Sequence, residues 1–473
     1  VSLPEQDALR LGALDAHDQA ALVAGRQVTT RELAEAALTR IALVDGAVNA
    51  VTHTVAPDRL PEVRGTGPLA GVPYLLKASL EYPGWPVTSG SRARADAIGR
   101  TAYPFVQELD AAGLVPVGMS AMPEFGLLTG GEPMLTGPVR NPWSPGHSAG
   151  GSSTGAAAAV AAGLVPLAHA SDAAGSIRVP AACCGVVGLK ASRGGNLRAR
   201  GPHLIDDLLC SDGLIGRSIR DVAWAFETVR DPAAPIAPER PVAGLRVALC
   251  LTGLDGVTAA PDVAAAVRLA ATACAELGLA VGELPALPVN GPAVLDAFRT
   301  IWVHEAGEIV DLVAAGNPGV AIDGLLEPWT LGLAERRRSL RLADTAAALA
   351  QVEASAVALG ALHHHYDVLL TPVTATPPPP LGVLAPTRDF DGLWEAFWGY
   401  TNVTPLANIA GVPAISLPLG SADGLPIGVM ATAAADADRT LLALGRALED
   451  AMPWRDRWPA ASAQARLATR ARR

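Results

Sequence analysis

Residues 144–163 read SPGHSAGGSSTGAAAAVAAG, a glycine-rich turn that carries Ser144, Ser148, Ser152 and Ser153 into an alanine-rich helix. Which of these serines reacts decides the fold. The embedded GHSAG matches the GxSxG pattern, in which a strained turn between a strand and a helix exposes a nucleophilic serine. That pattern needs a strand immediately before Ser148 and a helix immediately after it. The residues before are NPWSP, where Pro142 and Pro145 rule out a central strand. The residues after are AGGSST, which is more turn.

Working outward, Ser152 and Ser153 fall at the start of the helix expected over 156–162, where a hydroxyl can simply cap free backbone amides. A second small-residue cluster, HASDAAGSIRVP at 169–180, directly follows the strand-like LVPLAHA. Such a turn presents consecutive main-chain N–H groups to one point, as an oxyanion hole requires, and Ser176 ends that row. Upstream, the apolar run LAGVPYLLK ends abruptly in Lys77. Burial disfavours the charged form of a lysine, so the side chain can serve as a base. Lysine, two serines and a nest of amides compose a nucleophilic site without histidine.

Helix and strand signals alternate along the chain. Thr29 and Glu32 have capping-box spacing, with Leu33, Ala37, Ile41 and Val44 on one helical face. A helix pattern over 105–112 stops at Gly113, and LVPVGM from Leu114 reads as the next buried strand. LRVALCL from Leu245 and YDVLL before Thr371 also read as strands. This order predicts an α/β layered fold with a mostly buried sheet. The proline-rich DPAAPIAPERP at 231–241 is either a linker or a surface loop.

The 473 residues are half hydrophobic and only 17% charged, with a formal net charge of −10. This balance fits a folded enzyme and disfavours a nucleic-acid surface, which needs clustered Lys and Arg. The basic run Arg466–Arg473 is read as a solvated tail. The N-terminus lacks the basic and apolar regions of a secretion signal, and no apolar run spans a bilayer unbroken, so no membrane partner and a cytoplasmic location are expected. Five cysteines without CxxC spacing indicate neither a disulfide framework nor a zinc site. His363, His364 and His365 are successive and cannot converge on one ion from a helix, and His304–Glu305 lacks the second histidine of HExxH, so both are read as ordinary surface or helix-end residues. No GxGxxG opens a helix after a strand, so no cofactor is expected.

GGSSTG at 150–155, followed by SDAAGSIRVPAACCGVVGLK at 171–190, resembles the amidase signature family. The likeness extends through LAGVPYLLK and RNPW and returns in NIAGVPAISLPLG and GLPIGVM between Asn408 and Met430. Within the family, the AAGS variant is similar to that of 6-aminohexanoate cyclic-dimer hydrolases. The resemblance implies one α/β domain over 1–473, a large mixed β-sheet covered by helices on both faces. Its signature core spans about 65–230, and a second half over about 245–460 completes sheet and pocket. The piece at 231–241 is then a loop. It also implies Ser176 as nucleophile, Ser152 as a bridging serine with a cis peptide bond, and Lys77 as base. Ala173, Ala174, Gly175 and Ser176 would supply oxyanion-hole amides, and Ser153, Asp172 and Arg178 would be structural supports.

Four positions depart from the family pattern. Ala78 replaces the aspartate after the lysine, Thr154 replaces a glycine, and Ala173 and Ala174 demand negative φ. Leu127 and Leu128 are expected at the acyl side of the pocket. Trp394, Phe397 and Trp398, at helical spacing, are either a pocket wall or a core stripe. The expected substrate is an apolar or aryl amide, a 6-aminohexanoate amide or a carbamate, and the expected state is monomer or homodimer. Two alternatives stand beside this reading. One is a component of a glutamyl-tRNA amidotransferase, which shares the signature but works with partner chains on tRNA. The other is an α/β-hydrolase-type esterase using Ser148.

Overall fold

The computed structural model describes residues 3–63 and 65–471. Its strands in chain order are β1 Val51–Thr54, β2 Pro73–Lys77, β3 Val115–Ser120, β4 Leu167–Asp172, β5 Gly188–Lys190, β6 Ser211–Gly216, β7 Arg246–Leu249, β8 Ala280–Glu283, β9 Val368–Pro372, β10 Ala414–Ala422 and β11 Leu425–Ala433. They form a five-stranded sheet in the order β1-β3-β2-β4-β6 and a six-stranded sheet in the order β5-β10-β11-β9-β7-β8. A bridge between Val187 and Gly216, with N–H···O distances of 2.9 and 3.2 Å, joins the two at their edges. Both sheets are mixed. β2 runs parallel to β3 and β4, whereas β4 and β6 are antiparallel.

All five residues of β2 are buried, as a strand covered on both faces must be. Alternation along the strand shows what covers each face. Leu75 joins the core cluster formed by the helices Thr30–Val44 and Thr154–Ala161. Tyr74 and Leu76 join the one formed by Pro104–Ala111 and Ile219–Val229. The six-stranded sheet is covered likewise, with Val247, Leu370 and Val429 packed on the helix Pro261–Glu276.

The capping box at Thr29 is present. Thr29 N–H donates to Glu32 at 2.8 Å, Glu32 N–H donates to Thr29 Oγ1 at 3.1 Å, and Leu33, Ala37, Ile41 and Val44 are the buried face that follows. The helix Thr154–Ala161 is buried at every residue, so it needs small side chains all round. A Cβ at Gly155 would lie 2.2 Å from the Ala50 carbonyl oxygen.

Residues 231–241 run as a loop between Ile219–Val229 and β7, and β5, from the N-terminal half, pairs with β10. One expectation changes. The basic tail is helical over Ala463–Ala471 and packs back on the N-terminus, with Gln464 donating to the Leu9 carbonyl and Arg470 paired with Glu5 at 2.5 Å; Arg472 and Arg473 lie outside the described residues. Among the described residues one helix, Leu342–His365, is long and apolar enough to cross a membrane by length and composition, although Asp344, Glu353 and Gly360 interrupt it. Its Ala348, Val352, Leu359 and Leu362 pack into the main core.

Candidate active site

β2 and β4 are parallel neighbours, so their C-terminal ends emerge at one edge of the sheet. This places Lys77, the last residue of β2, beside the turn that follows Asp172 at the end of β4. The turn before the helix Thr154–Ala161 reaches the same place, with Ser153 N–H donating to the Ser176 carbonyl at 3.2 Å.

Lys77 is 1% exposed, and its Nζ lies 2.8 Å from Ser152 Oγ, 2.9 Å from Ser171 Oγ and 3.1 Å from Ser153 Oγ. Burial, reinforced by the Arg200 charge, lowers its pKa to about 7. The Gly151–Ser152 peptide bond is cis. Lys77, Ser152, Ser171 and Ser176 line one cavity of about 230 Å³, walled by Met122, Phe125, Leu127, Ile205 and Trp302.

Asp172 organises the turn from beneath. Its fully buried carboxylate accepts Arg178 Nε and Nη2, both at 2.9 Å, Asn408 Nδ2 at 2.9 Å and the Gly175 N–H at 2.7 Å. Burial alone would raise this carboxyl, but the Arg178 charge and hydrogen bonds hold it well below the usual carboxylate range. The Gly175 N–H, expected among the oxyanion-hole amides, donates to Asp172 in this structure. The amides of Ala173, Ala174 and Ser176 donate to no partner among the described residues. Neither alanine has a positive φ, as their side chains require, while Gly175 takes φ 123°.

Ser153 also differs from the expected helix support. It stands at the cap position without a capping hydrogen bond, and its hydroxyl instead joins Lys77 to Ser171, donating to the Ser171 carbonyl at 3.2 Å. Ser148 Oγ accepts the Gly150 N–H at 3.1 Å within the turn, with neither strand before nor helix after it. Leu127 lines the cavity, its carbonyl held by the indole N–H groups of Trp329 at 2.9 Å and Trp302 at 3.2 Å. Leu128, Trp394 and Trp398 do not line it. The tryptophans are core, Trp398 edge-on to Phe397 at 4.5 Å and Trp394 packed near Trp329, so the helical spacing marks a buried stripe. Ala78 is buried and continues the sheet edge, its N–H donating to the Ser120 carbonyl at 3.1 Å.

Several residues of the site carry no signal in the sequence reading. Ser171 contacts the lysine, Thr404 Oγ1 donates to the Ala174 carbonyl at 2.7 Å, and Asn408 Oδ1 accepts Arg178 Nη2 at 2.6 Å. Asn408 heads the segment NIAGVP, so that motif held the clue. Glu305, expected to be an ordinary helix residue, lines the cavity. It also brings one carboxylate oxygen within 4.8 Å of ligand atoms of His203 and Asp206, a grouping able to hold a cation. The histidines at 363–365 do not converge with it; His363 Nδ1 faces the Tyr366 carbonyl.

A family model described as Amidase matches residues 32–442. The chain is 35% identical over 492 residues to the 6-aminohexanoate-cyclic-dimer hydrolase of Paenarthrobacter ureafaciens, covering 94% of this chain and 96% of that one. It is 33% identical over 483 residues to the acylamidase of Rhodococcus erythropolis, covering 95% and 98%. A solved structure of 6-aminohexanoate cyclic dimer hydrolase complexed with substrate superposes with a TM-score of 0.85 at 32% identity, covering 95% of this chain and 99% of that chain. A shared fold alone would leave function open, but here the family match spans most of the chain and includes the serine and lysine turns. The chain belongs to the amidase family and is a hydrolase acting on the carbon–nitrogen bond of amides.

Proposed function

We propose that the chain hydrolyses an apolar or aryl amide through an acyl-enzyme on Ser176. The observation that carries this reading is the 2.8 Å contact between a buried Lys77 with a pKa of about 7 and Ser152, in the cavity that also holds Ser176. Neutral Lys77 takes the Ser152 proton while Ser152 takes that of Ser176, whose oxygen adds to the carbonyl carbon. The free amides of Ala173, Ala174 and Ser176 receive the developing oxyanion. The proton returns through Ser152 to the leaving nitrogen, the C–N bond breaks, and water releases the acid by the same relay. Among the described residues no hydrogen bond joins the Ser152 and Ser176 hydroxyls, so the relay needs one of the two side chains to rotate toward the other once substrate is seated.

The apolar wall of Met122, Phe125, Leu127 and Trp302 supports apolar and aryl acyl groups. The likeness to a 6-aminohexanoate-cyclic-dimer hydrolase supports aminohexanoate amides as a second class, and carbamates present the same carbonyl chemistry. A hydrolysis panel of aryl anilides, aliphatic amides, aminohexanoate oligomers and carbamates separates these. Ser176→Ala is expected to abolish turnover and covalent labelling by a fluorophosphonate. Ser148→Ala is expected to keep both. The reverse pattern would overturn the assignment.

A further inference from the structure

The cavity that contains Ser176 also carries a carboxylate that the proposed cycle does not use. Glu305 projects from the helix Gly291–Gly316, its side chain 18% exposed, with Oε2 enclosed and without a hydrogen-bond partner among the described residues. The nearest basic side-chain nitrogen among the described residues is His203 Nδ1 at 3.8 Å, outside hydrogen-bond range. That nitrogen accepts the Asp206 N–H, and His203 Nε2 faces Glu308 at 3.0 Å. Burial lowers the His203 pKa, but the Glu308 hydrogen bond and the Glu305 charge outweigh it and raise it, so the imidazole reaches Glu305 as a nearby charge across 3.8 Å and not as a hydrogen-bond donor. The cation that lines the cavity, Arg200, is committed elsewhere, to Asp212 at 2.5 Å and Asp206 at 3.8 Å. An enclosed carboxylate without a donor is costly, and a ligand that supplies an N–H and a positive charge removes that cost.

We propose that Glu305 receives a protonated primary amine of the substrate, so that the preferred substrates are amides bearing an alkylammonium group. This inference rests on the reading of the Ser176 cavity as the site of hydrolysis. The apolar residues Leu127, Trp302 and Ile309 line the same cavity and suit the alkyl chain between carbonyl and amine. Burial, with the Asp206 charge next, raises the Glu305 pKa to about 7. An ammonium at Oε2 opposes both effects. Glu305 would thus determine which amide is chosen, while Ser176, Ser152 and Lys77 would perform the chemistry.

Calorimetric titration of the full chain with n-hexylammonium, hexan-1-ol and hexanoate tests the binding part without catalysis. Hexylammonium is expected to bind about tenfold to a hundredfold tighter than hexanol, the span of a hydrogen bond to a charged group. Glu305→Gln is expected to remove that margin. In parallel, the ratio of kcat/KM for ω-aminoalkanoyl anilides over their methyl-terminated counterparts, across a series of chain lengths, should fall by a similar factor in Glu305→Gln. Equal binding of hexylammonium and hexanol by the wild type overturns the proposal, as does preference for hexanoate. So does an ammonium preference that survives Glu305→Gln. Tight Zn²⁺ binding that Glu305→Gln abolishes, without ammonium preference, would make the trio with His203 and Asp206 a metal site and would also overturn it. If Glu305→Gln fails to fold, the wild-type comparison of hexylammonium with hexanol still decides. Turnover that survives Ser176→Ala, with the ammonium margin intact, would instead sink the hydrolytic reading and leave the amine site standing.

Discussion

Ser153 Oγ stands 3.1 Å from Lys77 Nζ and gives its own proton to the Ser171 carbonyl at 3.2 Å. With that proton spent, Ser153 can only accept from the lysine. A neutral amine has two N–H groups and one lone pair. One N–H going to Ser153 and the other to Ser171 leaves the lone pair for Ser152. Ser153→Ala removes one of these anchors, at about 1 kcal/mol for a single hydrogen bond. The expected outcome is about a fivefold fall in kcat/KM and in fluorophosphonate labelling rate, with the melting temperature lowered by a few degrees at most. Wild-type labelling by Ser153→Ala would show that the lysine is oriented without it.

The proposed base acts only when neutral, and burial sets the Lys77 pKa at about 7. Below that pH the amine is protonated and has no lone pair for Ser152; above it the relay is open. The log of kcat/KM should therefore climb with pH and level off past an apparent pKa near 7. A pH profile measured with a neutral substrate checks this, and a rate that stays flat across neutrality counts against Lys77 as base.

Gly175 holds φ 123°, a conformation that L side chains rarely adopt, and a Cβ there would sit 2.5 Å from Thr404 Oγ1. Gly175→Ala is therefore strained in its backbone and crowded against the residue that holds the Ala174 carbonyl. We expect the variant to lose turnover by at least tenfold and to melt earlier than wild type. Normal kinetics in a normally stable Gly175→Ala would mean that the turn does not need its observed shape.

Arg178 is the charge partner of Asp172, and both side chains are fully buried. Arg178→Leu leaves the carboxylate uncompensated, a loss of about 3–5 kcal/mol by the precedent of broken buried pairs. The pairing also carries a pH signature. Because the folded pKa of Asp172 is depressed, its contribution is complete above the unfolded value of roughly 3.9 and is lost as pH falls toward the folded one. Urea unfolding at neutral and acid pH should show a gap between wild type and Arg178→Leu that narrows in acid.

That Lys77, Ser152 and Ser176 meet in one cavity was legible in the sequence, because each sits inside a short motif whose neighbours constrain it. The strand ends that carry Lys77 and Asp172 were legible too, as apolar runs cut off by a polar residue. Trp394 and Trp398 show the limit of periodicity. Helical spacing names a face but not what the face meets, and here it meets Trp329 and Phe397. Gly175 shows a second limit, since a count of amides in a turn does not reveal that Asp172 takes one of them. Thr404 and Glu305 were out of reach for a third reason. Their partners lie far along the chain, and only the folded arrangement brings them to the turn.

The hydrogen bond from Thr404 to the Ala174 carbonyl closes a separation of 230 residues. A ribosome that has already released the nucleophile has not yet made what steadies it. The nascent signature segment thus carries its serines in an unbraced turn until Thr404 has emerged. The shape of that turn consequently needs residues as far along as Thr404, so a product terminated before it is expected to be inert toward amides.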